Sequence, residues 1–226
     1  MIDKNKPLRS FGRIRSRIRD NENLLGKLLP KFLIKLNPKT KINPKNLFEN
    51  SKEIHLEVGY GYGTSISERA KKNPDVGFIG CEVYINGILN LLRRITEKNI
   101  ENIRLYDEDA RDLLENLQDE SLDKVFVLFP DPWPKNKHNK RRIINQRFLD
   151  TIHSKLKKNG TLFFASDIEH YVNWTLEHIK EHGKFKNAFK NLEECKNEPE
   201  WWIRTKYQSK AIKEGRKSKF LEFIKI

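Results

Sequence analysis

Apolar runs and amphipathic stretches alternate along most of this chain. Short apolar runs predict β-strands at 53–58, 77–82, 103–106, 122–129 and 161–166. Stretches with an apolar residue at every third or fourth position predict helices at 64–72, 85–97, 110–117, 141–158 and 168–182. Two further segments, 184–190 and 218–225, complete the alternation. This order predicts an α/β fold in which a mostly parallel sheet is covered by helices on both faces.

The N-terminal part of the chain departs from this alternation. Residues 1–23 are strongly basic, and apolar residues such as Ile14 and Ile18 do not suffice to anchor them, which predicts a flexible arm. Residues 24–36 predict a short helix that ends before Pro38. We therefore expect a basic arm over 1–23 and a single domain over 24–226.

Positive charge is both abundant and clustered. The chain has 226 residues and a formal net charge of +14. A lysine-biased composition explains part of this excess, but it explains less well the three basic clusters at 1–19, 135–147 and 204–219. Clustering of this kind indicates a polyanionic partner such as a nucleic acid.

Cysteine content and hydropathy bear on the compartment. The chain contains two cysteines, Cys81 and Cys195, without a CxxC spacing, which suits a reducing environment. The longest apolar run, Val125–Phe129, is far too short to span a membrane, and the basic N-terminus lacks the apolar stretch of a secretory signal. A cytoplasmic location is therefore expected. Monomer and homodimer remain equally open.

Glycines and acids follow the predicted strands, where open α/β sheets bind their ligands. Gly59, Gly61 and Gly63 follow the first strand and permit either a ligand-binding turn or a purely structural one. Glu82, at the end of the second strand, is placed to accept ribose hydroxyls. After the third strand, Asp109 is placed to meet an adenine amino group, although Asp107 and Glu108 are alternatives there.

A Pro-rich loop with a basic continuation follows the fourth strand. Its sequence, "PDPWPKNKHNKRR" from 130 to 142, accompanies "RSFGR" at 9–13, "GTLFFASD" at 160–167 and "RTKY" at 204–207. The strand-end acids resemble those of S-adenosylmethionine-dependent methyltransferases with a Rossmann-like, seven-stranded sheet. The Pro-rich string is similar to that of the bacterial tRNA (guanine-N7-)-methyltransferases. This resemblance implies methyl transfer to N7 of a guanine in tRNA, with guanine 46 of the variable loop as the expected target.

The resemblance also implies roles for individual positions. Cofactor contacts fall on Glu57, Glu82, Asp109 and Asp131, together with the turn of Gly59, Gly61 and Gly63. Contacts to the substrate guanosine or its surroundings fall on Lys135, Asp167, Thr205, Lys206, Tyr207 and Gln208. Contacts to the RNA fall on Lys137, His138, Lys140, Arg141 and Arg142. Asp131 is the expected catalytic residue, and Gln208 departs from the family because a Glu usually stands there.

Several alternatives remain open from the residues alone. A carboxylate at Asp131 can orient a guanine through its N1–H and N2–H donors, or it can act as a base. Trp133 either stacks on the guanine or packs against its own loop. A methyltransferase acting on an exocyclic amine, or an RNA-binding module without activity, would share much of the pattern. "HIKEH" at 178–182 has a zincin-like spacing but no third ligand, so no metal is implied.

Overall fold

The computed structural model describes residues 23–37 and 39–226 of the chain. Its strands are β1 Glu53–Val58, β2 Val76–Cys81, β3 Ile103–Tyr106, β4 Leu122–Leu128, β5 Leu156–Ser166, β6 Phe185–Asn187 and β7 Lys219–Lys225. They form a seven-stranded sheet in the order β3-β2-β1-β4-β5-β7-β6. The first five strands in this order are parallel, and β7 runs antiparallel to β5 and β6.

Helices pack on both faces of this sheet. They are α1 Leu29–Phe32, α2 Thr64–Lys72, α3 Ile85–Lys98, α4 Ala110–Asn116, α5 Gln146–Lys155, α6 Glu169–His182 and α7 Lys206–Lys213. On α3, the apolar residues spaced at three and four positions are buried, as Ile88, Leu92 and Ile95 show. β2 is buried along its whole length, because helices cover both of its faces. No helix in the described part of the chain is long and apolar enough to cross a membrane.

The predicted mostly parallel α/β sheet is confirmed, and the five predicted strands lie within a few residues of their expected positions. The helix predicted over 141–158 was wrong at its start and at its end. It begins at Gln146, where the Asn145 side chain accepts a hydrogen bond from the Phe148 amide at 3.1 Å. It ends at Lys155, since β5 begins at the next residue.

Other elements also differ from the prediction. The segment predicted as one helix over 24–36 is a π-helical stretch, Asn23–Leu28, followed by α1. In the predicted segment 184–190, only Phe185–Asn187 forms a strand. Helix α7 was not predicted. The predicted arm lies outside the described residues, apart from Asn23.

The topology fixes where a ligand can enter. From β1 the chain proceeds through β2 to β3 on one side, and it then returns to place β4 on the other side of β1. The carboxyl ends of β1 and β4 therefore flank a crevice at the point where the strand order reverses.

Candidate functional site: a cleft at the carboxyl ends of the central strands

A cavity of about 570 Å³ opens at this crevice. Its walls contain six of the cofactor and substrate residues implicated by sequence: Gly59, Gly61, Glu82, Asp109, Asp131 and Tyr207. Arg141 from the basic run lines it as well. Its volume falls within the range of small-molecule and cofactor sites, about 300–1,000 Å³.

The glycine turn forms the floor of the cavity beside β1. Gly59, Gly61 and Gly63 have φ values of 70°, 57° and 69°, in the left-handed region where a side chain would add strain. A Cβ on Gly61 would also lie 3.1 Å from the ring of Tyr207. Gly63 does not line the cavity and is instead the N-cap residue of α2. Gly87, which the sequence analysis overlooked, lies so close to the Gly61 carbonyl that a Cβ there would clash.

Glu82 connects the end of β2 to this turn. Its carboxylate accepts hydrogen bonds from the backbone amides of Gly61 at 2.8 Å, Val83 at 2.8 Å and Tyr84 at 2.9 Å. Partial burial raises the pKa of Glu82, and these amides oppose the rise. A carboxylate offers about four acceptor positions and these amides occupy three, so Oε2 of Glu82 can still accept one hydroxyl donor from a ligand.

Asp109 lines the cavity from the N-cap position of α4. Its carboxylate caps that helix by accepting from the Arg111 amide at 3.0 Å. The Arg111 side chain also donates to it, from Nε at 2.8 Å and from Nη2 at 2.6 Å. Arg111 therefore neutralises this carboxylate, and its presence was not anticipated from the sequence.

Glu57 lies apart from the main cavity. Its side chain is 3% exposed and forms an ion pair with Arg69 of α2. Burial raises the pKa of Glu57, and the Arg69 guanidinium opposes that rise. Glu57 lines a small adjacent cavity together with Thr205 and Lys206. In this arrangement it anchors the carboxyl end of β1 to the helix that follows.

The loop after β4 places Asp131 in the opposite wall of the cavity. Phe129 and Trp133 bracket it with φ values of 49° and 43°, which are unfavourable for large side chains. Phe129 donates its amide to the Ala165 carbonyl at 2.8 Å, which holds the start of the loop against β5. Although Asp131 is exposed, partial desolvation raises the pKa of its carboxyl.

Arg142 holds the same loop from behind. Its guanidinium donates to the Pro132 carbonyl at 2.9 Å and to His170 Nδ1 at 2.8 Å. It also lies about 5 Å from the ring centres of Tyr171 and Trp174. The residue is only 2% exposed. This burial departs from the expected RNA contact at Arg142, whose side chain does not reach the surface.

The remaining basic residues of this segment follow the Asp131 loop, and Arg141 among them reaches the cavity. They occupy a 3₁₀ helix, Asn136–Arg141, on which Lys137 and Lys140 are exposed. The Arg141 guanidinium lies 4.9 Å from the centre of the Trp133 ring, and His138 contacts that ring edge-on at 6.0 Å. Trp133 thus packs within its own segment while it also lines the cavity.

The C-terminal substrate candidates are divided between the cavity and its supporting structure. Tyr207 reaches the cavity and is 51% exposed. Gln208 is 2% exposed; its amide oxygen accepts from Trp202 Nε1 at 2.7 Å, and its amide nitrogen donates to Glu198 at 2.8 Å. Thr205 caps α7 by accepting from the Gln208 amide at 3.1 Å.

Two other substrate candidates lie away from the main cavity. Asp167 accepts from Arg216 Nε at 2.5 Å. Lys135 is exposed just before the 3₁₀ helix. The structure therefore brings Tyr207, but not Gln208, Asp167 or Lys135, to the cavity wall.

Comparison with known proteins decides the family. A protein of Rhizobium johnstonii described as tRNA (guanine-N(7)-)-methyltransferase is 42% identical over 219 residues, which cover 96% of this chain and 94% of that protein. A Brucella melitensis protein of the same description is 38% identical and is aligned over the full length of both chains. This chain belongs to the tRNA (guanine-N7-)-methyltransferase family.

Other comparisons agree with this family. The family model described as "Putative methyltransferase" matches residues 51–221, which extend from just before β1 into β7. Among solved structures, the 16S rRNA methyltransferase KamB has a TM-score of 0.56 and 12% identity, covering 78% of this chain and 89% of that one. An antibiotic-related methyltransferase has a TM-score of 0.53 and 16% identity, covering 77% and 88%. At such low identity these structures establish the fold that this tRNA (guanine-N7-)-methyltransferase family member shares with them.

Proposed function

We propose that the protein transfers a methyl group from S-adenosylmethionine to N7 of a guanine in tRNA. The observation that carries this proposal is that the glycine turn and the loop of Asp131 line one and the same cavity. Relatives of the same length described as tRNA (guanine-N(7)-)-methyltransferase support the choice of substrate. As in the expectation from sequence, guanine 46 of the variable loop is the proposed target, and the cytoplasm, where tRNA is located, is the proposed compartment.

The cavity fits S-adenosylmethionine in size and in the character of its walls. Gly59 and Gly61 allow the backbone to approach a ligand closely, and Glu82 presents a carboxylate at the end of the adjacent strand. Asp109 and the neighbouring loop would border the adenine end. S-adenosylmethionine supplies an electrophilic methyl group on a positively charged sulfur.

The protein's part in such a reaction is positioning. Guanine N7 has an available lone pair and loses no proton on methylation, so the displacement needs no general base. Holding the nucleophile in line with the methyl group can contribute about 7–11 kcal/mol to lowering the barrier. Pro130, Pro132 and Pro134 restrict the loop, and Arg142 fixes the Pro132 carbonyl.

Asp131 is proposed to orient the guanine. Its carboxylate can accept hydrogen bonds from the N1–H and N2–H groups of the base. Its negative charge also favours the positive charge that develops on the purine as N7 is methylated. In this role Asp131 works as a carboxylate and does not remove a proton from the reacting atom.

The cations beside the loop are proposed to contact the RNA backbone. Lys137, Lys140 and Arg141 lie within ten residues of Asp131, and phosphates adjacent to a bound guanosine would meet them. Contacts of this kind set register and strengthen binding at low salt but carry little sequence information.

Methyl transfer to an unmodified tRNA transcript tests the function. The protein is incubated with the transcript and methyl-labelled S-adenosylmethionine, and the RNA is digested to nucleosides and separated by mass. We expect the label in 7-methylguanosine. Label on the exocyclic amine of adenine or cytosine would contradict the N7 assignment, and binding without any transfer would indicate an RNA-binding module.

A further inference from the structure

Helix α7 borders the cavity next to the glycine turn. Tyr207, in its first turn, lines the cavity and packs against the Gly61 turn. The Lys206 ammonium lies 4.0 Å from the centre of the Tyr62 ring, and Tyr62 lines the same cavity. The amino end of α7 is therefore part of the mouth of the cavity.

The solvent-facing side of α7 is strongly basic. Lys206, Lys210 and Lys213 follow the helical spacing of four and three residues that places side chains on one face, and all three are exposed. Lys217 is exposed just beyond the helix. We call these four lysines the α7 basic face.

Little of this positive charge is neutralised by ion pairs within the described part of the protein. The two arginines of the region are paired, Arg204 with Glu198 and Arg216 with Asp167 and Glu214. By contrast, Lys206, Lys213 and Lys217 form no ion pair with a carboxylate of the described residues. Lys210 lies 3.9 Å from Glu214, at a surface where such a pair contributes little.

We propose that the α7 basic face is a second binding surface for the tRNA phosphate backbone, in addition to Lys137 and Lys140. The inference rests on the proposed function, because a guanosine held in the cavity has a phosphate on each side. From Lys206 to Lys213 the helix extends about 10 Å at 1.5 Å per residue. At about 3.4 Å per phosphate along a strand, that length covers about three intervals between successive phosphates. The strand would then contact two basic surfaces that adjoin the cavity.

The salt dependence of tRNA binding tests this surface directly. The triple variant Lys210→Ala/Lys213→Ala/Lys217→Ala is compared with Lys71→Ala/Lys72→Ala/Lys158→Ala. The control lysines are exposed at the end of α2 and near the start of β5, at the edge of the sheet opposite the cavity. Both triples remove the same charge, so a general loss of positive potential affects them equally.

We expect the slope of log affinity against log salt to fall by about 2–3 in the α7 triple, since each lost phosphate contact contributes about 0.7–0.9. The slope of the control triple should remain close to that of the unchanged protein. At saturating tRNA, kcat of the α7 triple should be unchanged while KM for tRNA rises, because only binding is weakened. Replacing the same lysines with arginine should preserve the slope, which separates lost charge from a disturbed helix.

Equal slopes in the two alanine triples would overturn the proposal. So would a loss in the arginine variant as large as in the α7 alanine triple. Binding is measured without turnover, so the comparison decides the role of α7 even if the methyl group goes to a base other than guanine. A protein that binds tRNA normally but methylates another atom would refute the proposed function, and it would not affect the proposal for the α7 basic face.

Discussion

Replacing Arg142 with alanine tests how far the reaction depends on the position of the Asp131 loop. The buried guanidinium makes hydrogen bonds of 2.9 Å to the Pro132 carbonyl and 2.8 Å to His170 Nδ1. Hydrogen bonds that involve a charged group contribute about 1.5–3 kcal/mol each, so their loss should lower the free energy of unfolding by about 3 kcal/mol or more. A domain with a typical stability of about 5–15 kcal/mol would still fold.

The kinetic effect should exceed what reduced stability explains. A shift of about 1 Å in a positioning element can lower the rate about 100-fold. We therefore expect kcat for tRNA methylation to fall by about that factor, with little change in cofactor affinity. Arg142→Lys should show a loss in the same direction, because an ammonium does not reproduce the two fixed guanidinium contacts.

The matched control is Arg147→Ala, which removes an exposed arginine of α5. Its guanidinium lies 3.4 Å from Glu115 at the surface, so its loss should cost about 0.5 kcal/mol or less. Denaturant unfolding and initial-rate kinetics are measured on both variants. If Arg142→Ala matches Arg147→Ala in stability and in kcat, then Arg142 does not hold the loop and the reasoning fails.

Three further predictions concern buried and cavity-lining groups. Gln208→Glu should lower the free energy of unfolding by about 1–3 kcal/mol at neutral pH, because a second carboxylate would then face Glu198. A variant that is as stable in denaturant as the unchanged protein would contradict this. Arg69→Ala should lower the free energy of unfolding by about 3–5 kcal/mol, because Glu57 would remain buried without its partner. An unchanged melting curve would show that the two side chains do not form a charged pair. The pKa of Asp131 is raised, so the methylation rate should decline on acidification at a pH above the ordinary titration range of an aspartate. That decline should disappear in Asp131→Asn. If the two proteins have identical pH–rate profiles, the carboxylate of Asp131 does not have this role.

Local sequence patterns were sufficient to predict the sheet and part of the cavity. Gly59, Glu82 and Asp131 each follow a short apolar run that forms a buried strand, and strand ends in a parallel sheet meet at one edge. Their convergence therefore follows from their order along the chain. The assignment of the Pro-rich loop to a methyltransferase depended instead on family resemblance.

Contacts between distant segments could not be read from such patterns. Arg142 lies in a basic run whose lysines are exposed, and it is buried by contacts with side chains of α6 such as His170 and Tyr171. Gln208 likewise pairs with Trp202 and Glu198 through a fold of the C-terminal segment that no periodicity indicates. Helix α7 was missed because its exposed lysines outnumber its buried positions.

The account as a whole depends on N7 of one guanine being the atom that receives the methyl group. Once the methylated guanosine has been located, a tRNA carrying 7-deazaguanosine at that position alone provides the most direct test, since it replaces N7 with a carbon that has no lone pair. Binding affinity and methyl incorporation are measured side by side with the unsubstituted tRNA. The account predicts unchanged binding and no incorporation; methylation of the substituted tRNA at the normal rate would contradict it.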